Sequence, residues 1–241
     1  ASDTIITTKP WKIRLNQTSL KKIAFRFDDQ NAAPTDKGID FKHLDIRNFN
    51  LDGEQFLYTG DLISGNIYAF TVMEKSGLNV QSLKTQFYYG KKSAHLKKLY
   101  LKTPQTLLRD ELIVGYPSIE SLSKNIGELD VNASLKNSQV GFKDLLILAP
   151  DLAQSNPFKS HPNAILKINS RVHGKVKDIE IPNLEISGIG STDLAASGRI
   201  TGLPDVQKAQ FNLVIRDFNT SAKDVNSFVP HNTLPTNLQL P

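Results

Sequence analysis

The sequence predicts a mainly β protein, an elongated antiparallel or repeat β-sheet with one or two short helices. Three observations predict it: strict alternation of apolar and polar residues, a lysine-marked motif that recurs along the chain, and a near absence of long helical patterning.

Alternation is clearest from Ala164 to Val176. The even positions read Ala, Leu, Ile, Ser, Val, Gly, Val, and the odd positions between them read Ile, Lys, Asn, Arg, His, Lys. A period of two over that length is a strand with one dry and one wet face. Shorter ladders of the same kind are Ile23-Phe25-Phe27, Leu108-(Asp110)-Leu112-Val114-Tyr116, Leu129-Val131-Ala133-Leu135 and Phe211-Leu213-Ile215. Turn chemistry bounds them at Asn50-Leu51-Asp52-Gly53, Gly188-Ile189-Gly190-Ser191 and Thr201-Gly202-Leu203-Pro204. The two short helices are expected at Ser118–Lys124 and Ala222–Phe228, the second stopped by Pro230.

The repeated motif is apolar-Lys-x-apolar-x-apolar. It reads Leu20-Lys21-Lys22-Ile23-Ala24-Phe25 and Phe41-Lys42-His43-Leu44-Asp45-Ile46, with further copies starting at Leu96, Phe142 and Val176. At this composition about one copy is expected by chance, and five occur. A sixth, Val206-Gln207-Lys208-Ala209-Gln210-Phe211, moves the lysine by one. Two polar residues between alternating runs make a bend or bulge, after which the next run resumes. The Phe142 copy fits a helix better. Lys143-Asp144-Leu145 with Pro150 is matched at the same spacing by Lys223-Asp224-Val225 with Pro230, a short helix stopped by proline in each case. Spacing between copies is irregular, so the array lacks the fixed period of a propeller or a leucine-rich solenoid.

Composition narrows the function. The chain has 241 residues, 39% of them hydrophobic, and a formal net charge of +5 with acids and bases interspersed. That supports a folded core and does not require nucleic acid. With no cysteine, thiolate nucleophiles, disulfides and thiolate metal sites are excluded. No catalytic motif stands: Gly90-Lys91-Lys92-Ser93 lacks the earlier glycine of a phosphate loop, and Gly188-Ile189-Gly190 has Asp193 where a dinucleotide fingerprint needs glycine. Both read as turn glycines. The histidines at 43, 95, 161, 173 and 231 have no metal-ligand spacing; His173 sits on the polar face of its strand and the rest read as surface residues. No catalytic residue, cofactor or metal site is assigned. The densest basic run, Lys91 to Lys102, is read as a wet strand face with gatekeeping lysines on an exposed edge. With no initiator Met, signal-like run or membrane-length apolar stretch, residues 1–241 are expected to be one elongated β-repeat segment of a longer protein.

The texture of these strands resembles the AsmA/TamB-like family of bacterial envelope proteins, especially TamB-type sequences from Bacteroidetes. The residues that carry the likeness are the lysine-marked strand starts, Leu101-Lys102-Thr103-Pro104-Gln105-Thr106, Val140-Gly141-Phe142-Lys143-Asp144-Leu145 with Ala149-Pro150-Asp151-Leu152, and Ala196-Ser197-Gly198-Arg199-Ile200-Thr201-Gly202-Leu203-Pro204-Asp205-Val206. It continues through Ser227-Phe228-Val229-Pro230 to Leu238-Gln239-Leu240-Pro241. The resemblance implies a long β-sheet curled into an open groove, a β-taco, with an apolar inner face. It implies a periplasmic location, an inner-membrane anchor outside this segment, and an outer-membrane barrel of the Omp85 class as partner. It also implies phospholipid transport between membranes and outer-membrane biogenesis, with no catalytic residues.

On the residues alone, a sheet with one apolar face must cover it with a second sheet, by curling on itself, or with a ligand. Ala164, Leu166, Ile168, Val172 and Val176, with Phe211, Leu213 and Ile215, form that face and are the candidate lipid-facing residues. Ala164, Ser170 and Gly174 leave room beside them. A closed structural or adhesive β-repeat, with the same residues in a dry core, fits the pattern as well as a lipid groove does.

Overall fold

The computed structural model describes residues 11–205 and 208–224. Its strands are β1 (Ile13–Asp28), β2 (His43–Tyr58), β3 (Leu62–Glu74), β4 (Asn79–Gly90), β5 (Ser93–Lys102), β6 (Leu107–Gly115), β7 (Asp130–Gly141), β8 (Ile165–Lys175), β9 (Asp178–Ile189), β10 (Thr192–Thr201) and β11 (Gln210–Asn219). They form one 11-stranded sheet in which spatial order equals chain order. Every described pairing is antiparallel. The sheet is curled and open, not closed into a barrel. Short helices α1 (Ser121–Lys124) and α2 (Phe142–Leu148) interrupt the meander before β7 and β8.

Register shows how the two faces separate, because directly opposed residues share a face. One row runs from edge to edge: Ile13, Tyr58, Ile63, Tyr89, Ala94, Val114, Val131, Gly174, Ile179, Ile200 and Phe211, each paired with the next. None is charged. The adjacent row, one residue along each strand, is Arg14, Leu57, Ser64, Tyr88, His95, Ile113, Asn132, His173, Glu180, Arg199 and Asn212. That row belongs to the opposite, mostly polar face.

Six non-glycine residues in the strands have positive φ: Lys22, Asn48, Gln55, Lys98, Asp110 and Asn137. Each coincides with a register shift, as between Leu20 and Ile23, Leu96 and Leu99, or Leu135 and Ser138. These are bulges. They bend the strand, increase its twist and curl the sheet. Each left-handed residue costs on the order of 1 kcal/mol. The lysine motif has this meaning at Lys21-Lys22 and Lys97-Lys98. At Lys177-Asp178 it is the β8–β9 turn, and at Phe142 it is α2, as the helix reading expected. The Val206 copy lies partly outside the described residues.

Two expectations are corrected. Asn50-Leu51-Asp52-Gly53 is not a turn but lies inside β2. There Leu51 opposes Phe70 on the apolar face, and Gly53 makes room for the Phe56 ring. The lysine-rich run is not at an edge, because β5 is fifth of eleven strands. Lys91-Lys92 forms the β4–β5 turn, while Lys97 and Lys102 point from the polar face.

Helix α2 fastens the strand ends. The Asp144 carboxylate accepts hydrogen bonds from Thr103 Oγ1 (2.5 Å), Gln105 N (3.1 Å) and Thr106 Oγ1 (2.8 Å), holding the β5–β6 turn. Ile147 packs against the β3–β4 turn at Gly77, and its carbonyl reaches Gly38 in the β1–β2 connection. Gly38 has φ +73, and a methyl there would stand 3.0 Å from that oxygen. The second Lys-Asp sequence repeats the device. Asp224, in the short helical segment after β11, accepts from Ser191 N and Ser191 Oγ, both at 2.8 Å, in the β9–β10 turn. In both places an aspartate beyond one strand captures the turn joining the two strands before it. Residues 225–228 of the expected second helix lie outside the described residues.

Asp144→Ala leaves three donors without their acceptor and is expected to cost about 2–4 kcal/mol. Urea unfolding measures the loss, and hydrogen exchange should show it greatest at Thr103 to Thr106.

Candidate functional site

The candidate residues fall on one face. Leu166 opposes Val140, Ile168 opposes Ser138 and Ile186, and Val172 opposes Ala133. Phe211 opposes Ile200, Leu213 opposes Gly198, and Ile215 opposes Ala196. Ile168 continues through Ile186 and Leu194 to Phe218, so β8 and β11 belong to the same apolar surface. Ala164 and Val176 flank β8. The Ala164 carbonyl accepts from Phe142 N, and Val176 N donates to the Leu129 carbonyl.

The surface extends well beyond those eight residues. On β1–β6 it continues as the row Leu20, Leu51, Phe70, Leu83, Leu101 and Leu108. Phe49 meets Phe70 edge to face at 5.3 Å, and Phe56 sits 6.1 Å from Phe87 with Gly65 beneath both rings. The signal for these residues was present but shifted in phase. In β5, Ala94 and Leu96 are even-numbered, whereas Leu99 and Leu101, beyond the bulge, are odd-numbered.

Burial is graded across this face. Thr85, Leu99, Ser138, Ser170, Ile181 and Ala196 are buried. The small hydroxyls among them repair the ladder where bulges break it. Thr85 Oγ1 donates to the Lys97 carbonyl, Ser138 Oγ accepts from Arg109 N, and Ser170 Oγ donates to the Asn183 carbonyl. Away from this seam the apolar face is open. No large side chain among the described residues is fully buried, and Phe25, Phe27, Phe211 and Ile215 are 47%, 49%, 62% and 57% exposed. A shallow depression on the other side is bounded mainly by polar groups such as Gln139, Lys167, Asn169, Glu185 and Asp217. It lacks the apolar continuity of the trough.

The polar face is laced with ion pairs. Arg47 and Arg26 donate to Asp45 and hold its carboxyl at about 2. Lys175 and Lys177 do the same for Glu128. Arg199 grips Asp178 through two 2.5 Å bonds and lowers its pKa. His173 lies 3.6 Å from Glu180 on this face, as its strand position predicted. His43 is a correction: it is buried, with Nδ1 2.9 Å from Asp40 and Nε2 3.4 Å from Asp28. Asp40 is held at about 2, first by the Thr35 backbone N–H. These groups tie the β1–β2 connection together.

Among the described residues no group of three or more His, Asp or Glu side chains is placed to hold a metal. No helix among them is long and apolar enough to cross a membrane. Comparison with protein-family models, curated proteins and solved structures finds no match.

A carboxylate with a depressed folded-state pKa stabilises the fold above its ordinary pKa and loses that contribution as pH falls through the folded value. Asp40 and Asp45 start from 3.8 and Glu128 from 4.5, and all fall to about 2, so the loss is confined between these limits. Thermal unfolding should therefore show a melting temperature that drops on acidification across that window. The paired variant Asp45→Asn/Glu128→Gln should drop less steeply, and an unchanged slope would remove these pairs as its source.

Proposed function

We propose that this chain is a groove-forming segment of a TamB-like envelope protein, and that its apolar face shelters phospholipid acyl chains passing between membranes. The observation that carries the reading is the uncharged row from Ile13 to Phe211, which crosses all eleven strands without a second layer over it among the described residues. A closed adhesive repeat needs a dry, covered core, whereas Phe211 and Ile215 are more than half exposed. Apolar surface of that extent calls for an apolar occupant.

The dimensions suit the task. Ten strand-to-strand spacings of about 4.8 Å give a trough about 48 Å long. One leaflet of hydrocarbon is about 15 Å thick, so the trough is several times longer than it must be to hold one acyl chain. Each methylene taken from water contributes about 0.8 kcal/mol. Because the apolar row is continuous, a chain sliding along it exchanges one such contact for another and meets no deep well. Transport of this kind is passive and needs no chemical turnover. In this reading the segment lies in the periplasm, with an inner-membrane anchor outside it and an Omp85-class barrel as partner, serving lipid transport and outer-membrane biogenesis.

Photo-crosslinking residues introduced at Leu166, Ile168 and Leu213 are expected to capture phospholipid in cells, while the same residues at Lys167 and Asn212 on the polar face are not. Lipid-free protein with no adduct at the first three positions, or equal adducts on both faces, would overturn the proposal.

A further inference from the structure

The strand ends form two long margins of the trough, and their aromatic residues differ. The start of β1 and the β2–β3, β4–β5 and β6–β7 connections lie along one margin. The β1–β2, β3–β4 and β5–β6 connections lie along the other, with α2. The chain has one tryptophan and six tyrosines. Trp11 stands two residues before β1 at the first margin, and Tyr58, Tyr88, Tyr89 and Tyr116 stand at or just beyond the ends of β2, β4 and β6 there. The remaining two, Tyr68 beside Glu54 and Tyr100 beneath Arg109, belong to the polar face. No described tyrosine or tryptophan lies at the second margin, whose aromatic residues are phenylalanines such as Phe27, Phe41 and Phe142. Exposure does not explain this division. Tyr58 and Tyr89 are 49% and 39% exposed, and Phe27 and Phe41 are 49% and 73% exposed. Contact with water alone would favour tyrosine at both margins.

Tyr58 and Tyr89 belong to the trough face. They share the row Ile13, Tyr58, Ile63 and Tyr89, and stand two strand spacings, about 9.6 Å, apart. One step inward on the same strands are Phe56 and Phe87, with ring centroids 6.1 Å apart. Rings that carry a hydroxyl at the margin give way to bare rings inside. The other tyrosines of this margin are engaged: Tyr88 stacks on His95 at 5.3 Å, and Tyr116 donates to the Gly90 carbonyl at 2.5 Å. The Tyr58 and Tyr89 hydroxyls have no hydrogen-bond partner among the described residues. Tyrosine and tryptophan favour a boundary between apolar and polar surroundings, because each joins an apolar ring to a hydrogen-bonding group, whereas phenylalanine has only the ring. A phospholipid brings such a boundary with it. Its phosphate and ester oxygens accept hydrogen bonds, and its acyl chains begin just beyond them.

We infer, on the reading that the trough holds phospholipid acyl chains, that the lipid has a fixed orientation across β1–β6. The phosphate and ester oxygens lie at the margin of Tyr58 and Tyr89 and accept from their hydroxyls. The acyl chains run inward over Phe56 and Phe87 toward the margin of Phe27. A lipid moving from strand to strand then keeps its headgroup on one side of the trough.

Trp11 is the only tryptophan and lies at the headgroup margin, so its fluorescence reads the orientation. The purified chain is titrated with phosphatidylcholine carrying a nitroxide quencher either on the headgroup or at the far end of an acyl chain. The headgroup label is expected to quench Trp11 more strongly. In Trp11→Phe/Phe27→Trp the reporter moves to the opposite end of the same strand, and the order of the two labels should reverse. Tyr58→Phe/Tyr89→Phe keeps both rings and removes the donors. With each hydrogen bond worth about 1 kcal/mol, lipid affinity should fall about fivefold per hydroxyl and about thirtyfold for the pair. Tyr68→Phe, on the polar face, should leave the affinity unchanged. Circular dichroism confirms that each variant is folded. Quenching with the same order of labels at both reporter positions, or unchanged affinity in the double tyrosine variant, would overturn the orientation and leave the acyl-chain reading standing. Absence of quenching by either label at either position would overturn both.

Discussion

An apolar face that has no second layer over it among the described residues is the constraint on which the rest of this structure depends. Most domains bury such a face against another sheet or a layer of helices. Here eleven strands make one sheet, and α2 lies along its margin. Apolar side chains can then shed water only onto their neighbours in the same face. The burial pattern has that form: a buried seam through Leu99, Ser138, Ser170 and Ala196, with exposure rising to Phe211 and Ile215 on the edge strand. Curling increases this lateral packing. The hydrogen-bond ladder and the polar-face ion pairs supply the remaining cohesion, and the two captured turns stop the strand ends from fraying.

The bulges reconcile curling with a continuous apolar face. A bulge shifts the side-chain alternation by one residue, so a strand that kept its sequence period through the bulge would turn its apolar residues outward. The sequence compensates. Beyond Lys97-Lys98 the apolar residues move from even to odd numbers, and Leu99 and Leu101 stay on the same side as Leu96. Lys22 and Asn137 mark corresponding steps in β1 and β7. Each step frees backbone groups. At three of them the nearest inward residue is a small hydroxyl, Thr85, Ser138 or Ser170, instead of a large apolar group. These polar atoms inside an apolar seam are the repair of the curl.

This explains what could be read from the sequence. Strand β8 was legible from end to end because its only positive-φ residue is Gly174, near its end. Its alternation, and with it the dry face through Leu166, Ile168 and Val172, runs unbroken. Strands β2 and β5 were obscured by phase shifts, so Phe56 and Leu96 were absent from the candidate face although they line it. Asn50-Leu51-Asp52-Gly53 has turn composition, yet the glycine serves the Phe56 ring and the aspartate serves Lys21. The lysines near residue 97 read as an edge because sequence period reports the face of a strand, never its place in the sheet. The Lys-Asp echo was legible as a short helix, but its purpose was not, since Asp144 captures a turn 38 to 41 residues earlier in the chain.

Single-layer construction also makes register decide which side chains line the apolar face. In a two-layer domain a slipped strand meets steric opposition from the layer above. Among the described residues no second layer lies above the strands of this sheet, and a one-residue slip of β8 would place Lys167 and Arg171 in the trough while sending Ile168 to the polar face. Burying those cations without partners is costly, but in an open trough water can still reach them, so the penalty is weaker than in a core. Stronger register locks are therefore needed, and the bulges provide them. A bulge sets two residues against one at a fixed point of the ladder, so a slip at Asn137 would part Ser138 Oγ from Arg109 N and Lys136 from Asp110. The irregular spacing of the lysine motif follows from this. Each copy that forms a bulge sets the phase of its own strand, and a strict period would make every strand interchangeable with its neighbours.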